Sequence, residues 1–69
     1  MTFEEKINRI DEYLVGIWKF RQPNKKPLWC ATFVYKGYYY DVPGNNDILV
    51  TLDEVHKKIL RLKRNSKKK

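Results

Sequence analysis

The sequence predicts a small α+β domain of two layers: an N-terminal helix, a three-stranded antiparallel meander and a C-terminal helix with a basic tail. Amphipathic stretches with helical spacing lie at both ends of the chain, and aromatic and β-branched runs lie between them. The length of 69 residues allows one domain. We expect that domain at residues 1–64 and a disordered basic tail at residues 65–69.

The first helix has a recognisable start and an uncertain end. Thr2 and Glu5 have the spacing of a capping box, in which each side chain bonds the other residue's backbone amide. Apolar residues then recur at steps of four and three: Phe3, Ile7, Ile10, Leu14 and Ile17. This spacing predicts a helix from about residue 3 to residue 15. Residues 15–21 either continue it or, if Gly16 breaks the helix, form a short strand.

Residues 22–27 are predicted to be a loop. Pro23 and Pro27 remove backbone donors and fix φ, so neither a helix nor a central strand is expected to run through this segment. The loop would present Lys25 and Lys26 on a stiffened surface turn. It is either a plain connector or, if it lies on the same side as the last helix, a second phosphate contact.

Two runs rich in aromatic and β-branched residues, 28–35 and 38–42, flank Lys36 and Gly37 and predict a β-hairpin. A two-residue turn would pair Tyr35 with Tyr38, Phe33 with Tyr40 and Ala31 with Val42. Lysine is a poor occupant of a positive-φ position, so a type I turn with Gly37 in a bulge competes. That register would instead pair Val34 with Tyr38 and Phe33 with Tyr39. The choice decides which tyrosines face the core.

The last part of the chain is predicted to hold a short strand and then a helix. Residues 48–50 follow a turn cluster and read as the third strand, whose unpaired edge offers a route to self-association. Thr51 and Glu54 have the spacing of a second capping box. The helix that they would open carries one apolar stripe and ends near Arg64; the stripe is Leu52, Val55, Ile59 and Leu62.

The positive charge is concentrated near the C-terminus. The chain has 15 Lys and Arg against 8 Asp and Glu, a net charge of +7. Residues 1–12 are acidic, residues 13–55 are nearly neutral, and residues 56–69 carry eight cations and no acid. Such cations complement a helix dipole and aid solubility, but their number favours contact with a phosphate backbone. The predicted nucleic-acid contacts are Lys25, Lys26, Lys36, Lys57, Lys58, Arg61, Arg64, Lys67, Lys68 and Lys69.

Aromatic residues make up 14% of the chain and crowd the predicted hairpin. A domain this small needs most of them for its core. Alternate residues of a strand nevertheless face different sides of the sheet, so Tyr39 is expected on the other face from Tyr38 and Tyr40. At least one tyrosine is therefore expected to face solvent. Such a side chain can stack on an unpaired base or anchor a protein partner. The predicted stacking or partner-binding residues are Tyr39, Tyr38 and Trp29.

The residue types argue against an enzyme. His56, Cys30 and Ser66 each occur once, and Ser66 lies in the predicted tail, so no ordered Ser–His–Asp arrangement is expected. A Cys30–His56–Asp41 site would need three elements to converge in a very small domain. We expect no cofactor, no metal and no internal disulfide. With no signal peptide or apolar span in the sequence, a cytoplasmic location is expected.

The element order resembles that of double-stranded-RNA-binding domains, which also run helix, three strands, helix. That family opens its last helix with lysines, whereas this chain has the acidic run Thr51–Glu54 at the predicted start. The stretch from Trp29 to Glu54, about half of the chain, is similar to the three-strand-plus-helix DNA-binding units at the N-termini of tyrosine integrases. Those units lay their sheet in the major groove. Both resemblances concern the fold, and function depends on individual side chains.

Together these observations predict a small non-enzymatic nucleic-acid-binding module. The last helix and tail would supply affinity for the backbone, and the aromatic hairpin and proline loop would supply shape or stacking contacts. The alternative is a protein-binding accessory or inhibitor protein of the phage or mobile-element type. It would dock through its aromatic hairpin and use its basic tail to meet an acidic partner.

Overall fold

The computed structural model describes residues 1–66 and confirms the predicted fold class. The chain forms two helices and three strands: α1 (Phe3–Ile10), β1 (Leu14–Gln22), β2 (Lys25–Tyr35), β3 (Tyr38–Asn45) and α2 (Ile48–Ser66). The strands form one antiparallel sheet in the order β1-β2-β3. The architecture is therefore a helix, a three-stranded meander and a second helix.

The core lies on one face of this sheet. Helix α2 packs on β2 and β3, and α1 packs on α2. The buried apolar side chains come from both helices and from alternate strand positions: Ile10, Ala31, Phe33, Val42, Leu52, Val55 and Ile59. Side chains at the intervening strand positions point to the other face, which no described element covers. We call this side the uncovered face.

Helix α1 begins as predicted and ends earlier. Thr2 Oγ1 accepts from the Glu5 amide at 3.2 Å, and the Thr2 amide donates to Glu5 Oε1 at 3.1 Å, which confirms the capping box. The prediction that the helix reaches residue 15 is wrong, because α1 ends at Ile10 and β1 begins at Leu14. The alternative of a strand at residues 15–21 is the one that the structure adopts, but Gly16 lies inside β1 and is not the residue that ends the helix.

The predicted third strand at residues 48–50 is wrong, because these residues form the first turn of α2. Asp47 opens that helix by accepting from the Leu49 amide at 2.9 Å. Thr51, the predicted cap, is buried within α2, and its hydroxyl donates to the Trp29 carbonyl at 2.9 Å. The proposed self-association through a strand edge at residues 48–50 therefore has no strand to use.

The predicted proline loop is a tight turn. Gln22 pairs with Lys25, so Pro23 and Asn24 are its two central residues, and Asn24 has a φ of 58°. Strand β2 starts at Lys25, so the expectation that no central strand passes Pro27 is wrong. Pro27 is tolerated because the β1–β2 register shifts beside it, and β3 begins to pair with β2 only from Trp29.

The β2–β3 hairpin has the two-residue turn. Tyr35 pairs with Tyr38, and the register continues with Phe33 opposite Tyr40 and Ala31 opposite Val42. Lys36 and Gly37 have φ values of 52° and 83°, the pattern of a type I′ turn. The competing register with a bulge at Gly37 is therefore excluded, although lysine is an unfavourable residue at such a position.

Helix α2 continues to Ser66, beyond its predicted end near Arg64. Asn65 and Ser66 thus belong to the helix and not to the predicted tail. The remaining tail residues, Lys67, Lys68 and Lys69, lie outside the described residues. Within residues 1–66, neither helix has the length and apolar character that a membrane span requires.

Candidate nucleic-acid interface

The β1–β2 hairpin ends in four cations: Lys19, Arg21, Lys25 and Lys26. We call this group the basic hairpin end. No acidic residue occurs in the sequence between Glu12 and Asp41, so the whole hairpin is free of negative side chains. Three of the four cations line a concavity of about 310 Å³, together with Gln22 and Pro27. The turn residues Pro23 and Asn24 bring the two strand ends together and so create this local charge.

These cations are available to a ligand. In the part of the chain that the structure describes, none of the four forms an ion pair with a carboxylate. Lys19 Nζ lies 5.3 Å from the centroid of the Trp29 ring, a cation–π contact that leaves its charge uncompensated. The part of β2 next to the turn is tied to the segment before α2, because Asn46 Nδ2 donates to the Pro27 carbonyl at 3.2 Å. The cations are therefore presented on a fixed backbone.

A second basic group lies between α2 and β3. Lys57, Lys58 and Arg61 line a groove of about 190 Å³ with Val42, Pro43 and Glu54, and we call it the α2 groove. Lys57 Nζ lies 3.7 Å from Glu54 Oε1, but both side chains are well exposed, so this pair contributes little. Lys58 Nζ donates to the Asp41 carbonyl at 3.2 Å, which orients it across the groove.

The two basic groups do not form one patch. Thr51 of α2 contacts Trp29 of β2, and from there α2 runs toward the end of the sheet that carries Tyr35. Lys25 lies four strand residues before Trp29, about 13 Å at the usual rise. Arg61 lies ten helix residues after Thr51, about 15 Å along the axis. Lys25 and Arg61, the outermost members of the two groups, are therefore more than about 20 Å apart on a molecule 47 Å long, whereas Lys19 pairs with Trp29 and lies nearer to α2.

The other predicted contacts are spread over the far end of the molecule. Lys36 occupies the β2–β3 turn, with its Nζ 5.6 Å from the centroid of the Tyr35 ring. Arg64 is exposed in the last described turn of α2. Beside it, Lys63 lies 5.1 Å from the Tyr13 ring, and a hydrogen bond with Tyr13 raises the pKa of Lys63. Lys63 is thereby engaged in packing the C-terminal end of α2 against Tyr13, in the turn between α1 and β1.

The three predicted stacking residues have different environments. Tyr38 and Tyr39 are 70% and 73% exposed beside the β2–β3 turn. Trp29 is half-buried on the helix side of the sheet under Lys19. Tyr40 faces the core and stacks on Phe33 with ring centroids 5.3 Å apart. Of the predicted set, only the two turn tyrosines offer a widely exposed ring.

Sequence reasoning missed two exposed aromatic residues. Trp18 and Phe20 are 47% and 55% exposed on the uncovered face. The alternation of residues 16–20 would identify them, because Trp18 and Phe20 lie two residues apart and so share a face of a strand. This inference requires that the segment is first assigned to a strand. They line a trough of about 300 Å³ with five further residues: Cys30, Ala31, Thr32, Asp41 and Val42.

The structure does not assemble the one catalytic set that the sequence allowed. Cys30 lines the trough on the uncovered face, whereas His56 lies on α2, on the other side of the sheet. Burial, and then the charge of Arg9, lowers the pKa of His56. Among the described residues no three His, Cys, Asp or Glu side chains lie close enough to hold a metal ion.

Comparison of the chain with protein-family models, curated proteins and solved structures gave no match. Function must therefore be inferred from the side chains themselves.

Proposed function

We propose that this protein is a small non-enzymatic module that binds nucleic acid through the basic hairpin end, with the α2 groove as a second phosphate contact. The observation that carries the proposal is the basic hairpin end itself. Four cations lie on adjoining strand ends, without an acid in the hairpin and without an ion-pair partner in residues 1–66. Clustered cations that release counterions are the main source of affinity for nucleic acid.

Simpler roles for these charges explain the hairpin poorly. Cations near a helix C-terminus compensate the helix dipole, and this accounts for part of the charge on α2. The basic hairpin end lies on strands, so it compensates no helix dipole. Like charges placed together repel each other in the free protein, and a bound polyanion removes this repulsion.

The separation of the two basic groups favours an extended ligand. Their outermost cations, Lys25 and Arg61, lie more than about 20 Å apart, which is over half of one turn of a B-form duplex. A mononucleotide would reach only one of them. A duplex, or a single strand of several nucleotides, can contact the basic hairpin end and the α2 groove together.

A salt titration of binding to single- and double-stranded oligonucleotides tests the proposal. We expect the logarithm of affinity to fall linearly with the logarithm of salt concentration. Lys25→Gln should reduce that slope by about 0.7–0.9, the value for one lost phosphate contact. Asn8→Asp is the matched control, because it changes the net charge by the same amount at an exposed position on α1.

Two results would overturn the proposal. The first is an absence of binding to any DNA or RNA oligonucleotide by micromolar protein in low salt. The second is an equal effect of Lys25→Gln and Asn8→Asp, which would show that net charge alone, and not the basic hairpin end, determines the affinity.

The exposed tyrosines favour a second candidate function, an accessory or inhibitor protein that docks on another protein. Tyr38 and Tyr39 project from the β2–β3 turn, and tyrosine is enriched at interface hot spots. A pull-down that loses its partner with Tyr39→Ala but retains it with Lys25→Gln would support this candidate. A cytoplasmic location fits either role and is part of the proposal.

A further inference from the structure

The uncovered face carries an unusual concentration of exposed apolar side chains for so basic a protein. Trp18, Phe20 and Tyr39 are 47%, 55% and 73% exposed. They surround half-buried side chains of the central strand: Leu28, Cys30, Thr32 and Val34. Aromatic rings left in water on one side of a sheet indicate a contact surface.

The indole of Trp18 is held flat on this face. Its Nε1 donates to Thr32 Oγ1 at 3.1 Å, and the same hydroxyl donates to Asp41 Oδ1 at 2.7 Å. The benzene edge of the indole lies over Gly16, so close that a Cβ atom there would be 2.8 Å from Cη2. Glycine thus supplies the space, and the hydrogen bond fixes the orientation. The ring is a preorganised platform with its outer side open to solvent.

The platform borders the trough on the uncovered face. Trp18 and Phe20 form one wall, Asp41 forms the other, and Cys30 and Thr32 contribute the floor. Its volume of about 300 Å³ is at the lower end of the range for small-ligand sites. The trough combines flat rings with one hydrogen-bonding wall, which suits a planar group with polar edges.

The surrounding charge favours an anionic ligand. Phe20 pairs with Leu28 across the two strands, and the basic hairpin end begins with the next residue of β1, Arg21, which alternates with Phe20 and lines the concavity on the helix side with Lys19. The basic hairpin end therefore adjoins the platform at the turn end of the hairpin, although Lys19 and Arg21 face the other side of β1. Aromatic platforms beside a cationic track are the arrangement with which proteins bind single-stranded nucleic acid. Paired bases inside a duplex cannot stack on such a platform.

We propose that the uncovered face binds single-stranded nucleic acid, with one unpaired base stacked on Trp18, a neighbouring base on Phe20, and the phosphate backbone continuing past the turn end of the hairpin toward the basic hairpin end. This inference rests on the proposed function and specifies its ligand. The basic hairpin end alone serves a duplex and a single strand alike. The platform adds a contact that only unpaired bases can make.

Tryptophan fluorescence tests the stacking directly. Trp29→Phe leaves Trp18 as the single tryptophan, and titration with a short oligo(dT) should quench its emission to saturation. A duplex of equal length should quench it far less. In the otherwise unchanged protein, Trp18→Leu and Phe20→Leu should each weaken binding of the single strand about tenfold, measured by anisotropy of a labelled oligonucleotide. Phe3→Leu is the matched control, because Phe3 is equally exposed but lies on α1.

The outcomes separate the two proposals. If Lys25→Gln weakens binding and Trp18→Leu does not, the uncovered face is no base-binding site although the proposed function stands. If no oligonucleotide binds in low salt, the proposed function itself fails. A protein partner that is lost with Trp18→Leu, without any quenching by oligonucleotides, would also overturn the inference. Circular dichroism of each variant establishes that it folds.

Discussion

The indole of Trp18 occupies the space that Gly16 leaves by having no side chain. A Cβ at position 16 would meet three atoms of the ring at 2.8–3.3 Å. The two residues face the same side of β1, and Gly16 pairs with Thr32, whose hydroxyl holds the indole nitrogen. The orientation of an exposed ring is therefore determined by a glycine and a threonine on neighbouring strands.

Gly16→Ala should displace the ring without unfolding the protein. The indole is exposed and can swing outward, so we expect the free energy of unfolding to change by less than about 1 kcal/mol, the scale of one hydrogen bond. The platform is lost, and binding of a single strand should weaken as much as in Trp18→Leu. The measurements are urea unfolding and anisotropy with a labelled single strand. Unchanged affinity would show that the ring's fixed position does not matter.

The turn conformation at position 24 requires a residue type that tolerates a positive φ. At 58° it adopts the left-handed region that asparagine accepts more readily than alanine, and glycine most readily. We expect Asn24→Ala to lower the free energy of unfolding by about 1 kcal/mol and Asn24→Gly to leave it within a few tenths. Thermal unfolding of the two variants provides the comparison. Equal stabilities would contradict the turn geometry.

The fold class could be predicted from the sequence, but one strand could not. Leu14 and Ile17 are three residues apart, which is a helical spacing, and both pack against the core. They share a face of β1 only because the register shifts between Leu14 and Gly16. A bulge can therefore give a strand the same spacing of apolar residues as a helix. A pattern of single residues cannot distinguish the two, since the bulge depends on pairing with β2.

The prediction that α2 begins at Thr51 is wrong for a related reason. Thr51 and Glu54 have the local spacing of a capping box, but the Thr51 hydroxyl bonds Trp29, which is 22 residues away in sequence. A charge count over residues 13–55 also hides the basic hairpin end, because it combines these cations with the acids of β3, of α2 and of the segment between them. Only strand pairing shows that these charges lie on different elements.

Asp53 should contribute a stability that is lost in acid. A hydrogen bond from Lys6 lowers the pKa of Asp53 below its ordinary 3.8, and Arg9, whose Nη2 lies 3.0 Å from Asp53 Oδ1, lowers it further. This contribution to the free energy of unfolding is therefore fully present above pH 3.8 and disappears as the pH falls through the lowered pKa. Asp53→Asn should cost about 1 kcal/mol near neutral pH. Urea unfolding should show the two proteins converging at the acid end, and a constant difference would contradict the assignment.

His56 should produce a separate loss of stability at milder acidity. Burial first, and then the charge of Arg9, lowers its pKa below the ordinary 6.5, although Asp53 partly opposes this. The folded state thus binds fewer protons, so stability falls as the pH drops below 6.5 and levels off below the lowered pKa. In His56→Gln the midpoint of urea unfolding should not change across this window. A retained step would assign it to another group.

Asp41 should give the trough a preference among bases. Thr32 donates to Asp41 Oδ1 at 2.7 Å, and no other described residue provides a hydrogen bond to the carboxylate. A carboxylate accepts hydrogen bonds from exocyclic amino groups, which cytosine and adenine carry and thymine lacks. We therefore expect oligo(dC) and oligo(dA) to bind several-fold more tightly than oligo(dT), measured by the quenching of Trp18 in the Trp29→Phe protein.

Removal of the carboxylate separates this preference from general electrostatics. Asp41→Ala should bring the affinities for oligo(dC) and oligo(dT) close together, because the acceptor is lost. Glu4→Gln removes the same charge from an exposed position on α1 and is the matched control. Glu4→Gln should bind all strands somewhat more tightly and Asp41→Ala should bind oligo(dT) somewhat more tightly, since a repulsion with phosphate is gone. Only Asp41→Ala should change the ratio, and an equal ratio in all three proteins would show that Asp41 reads no base.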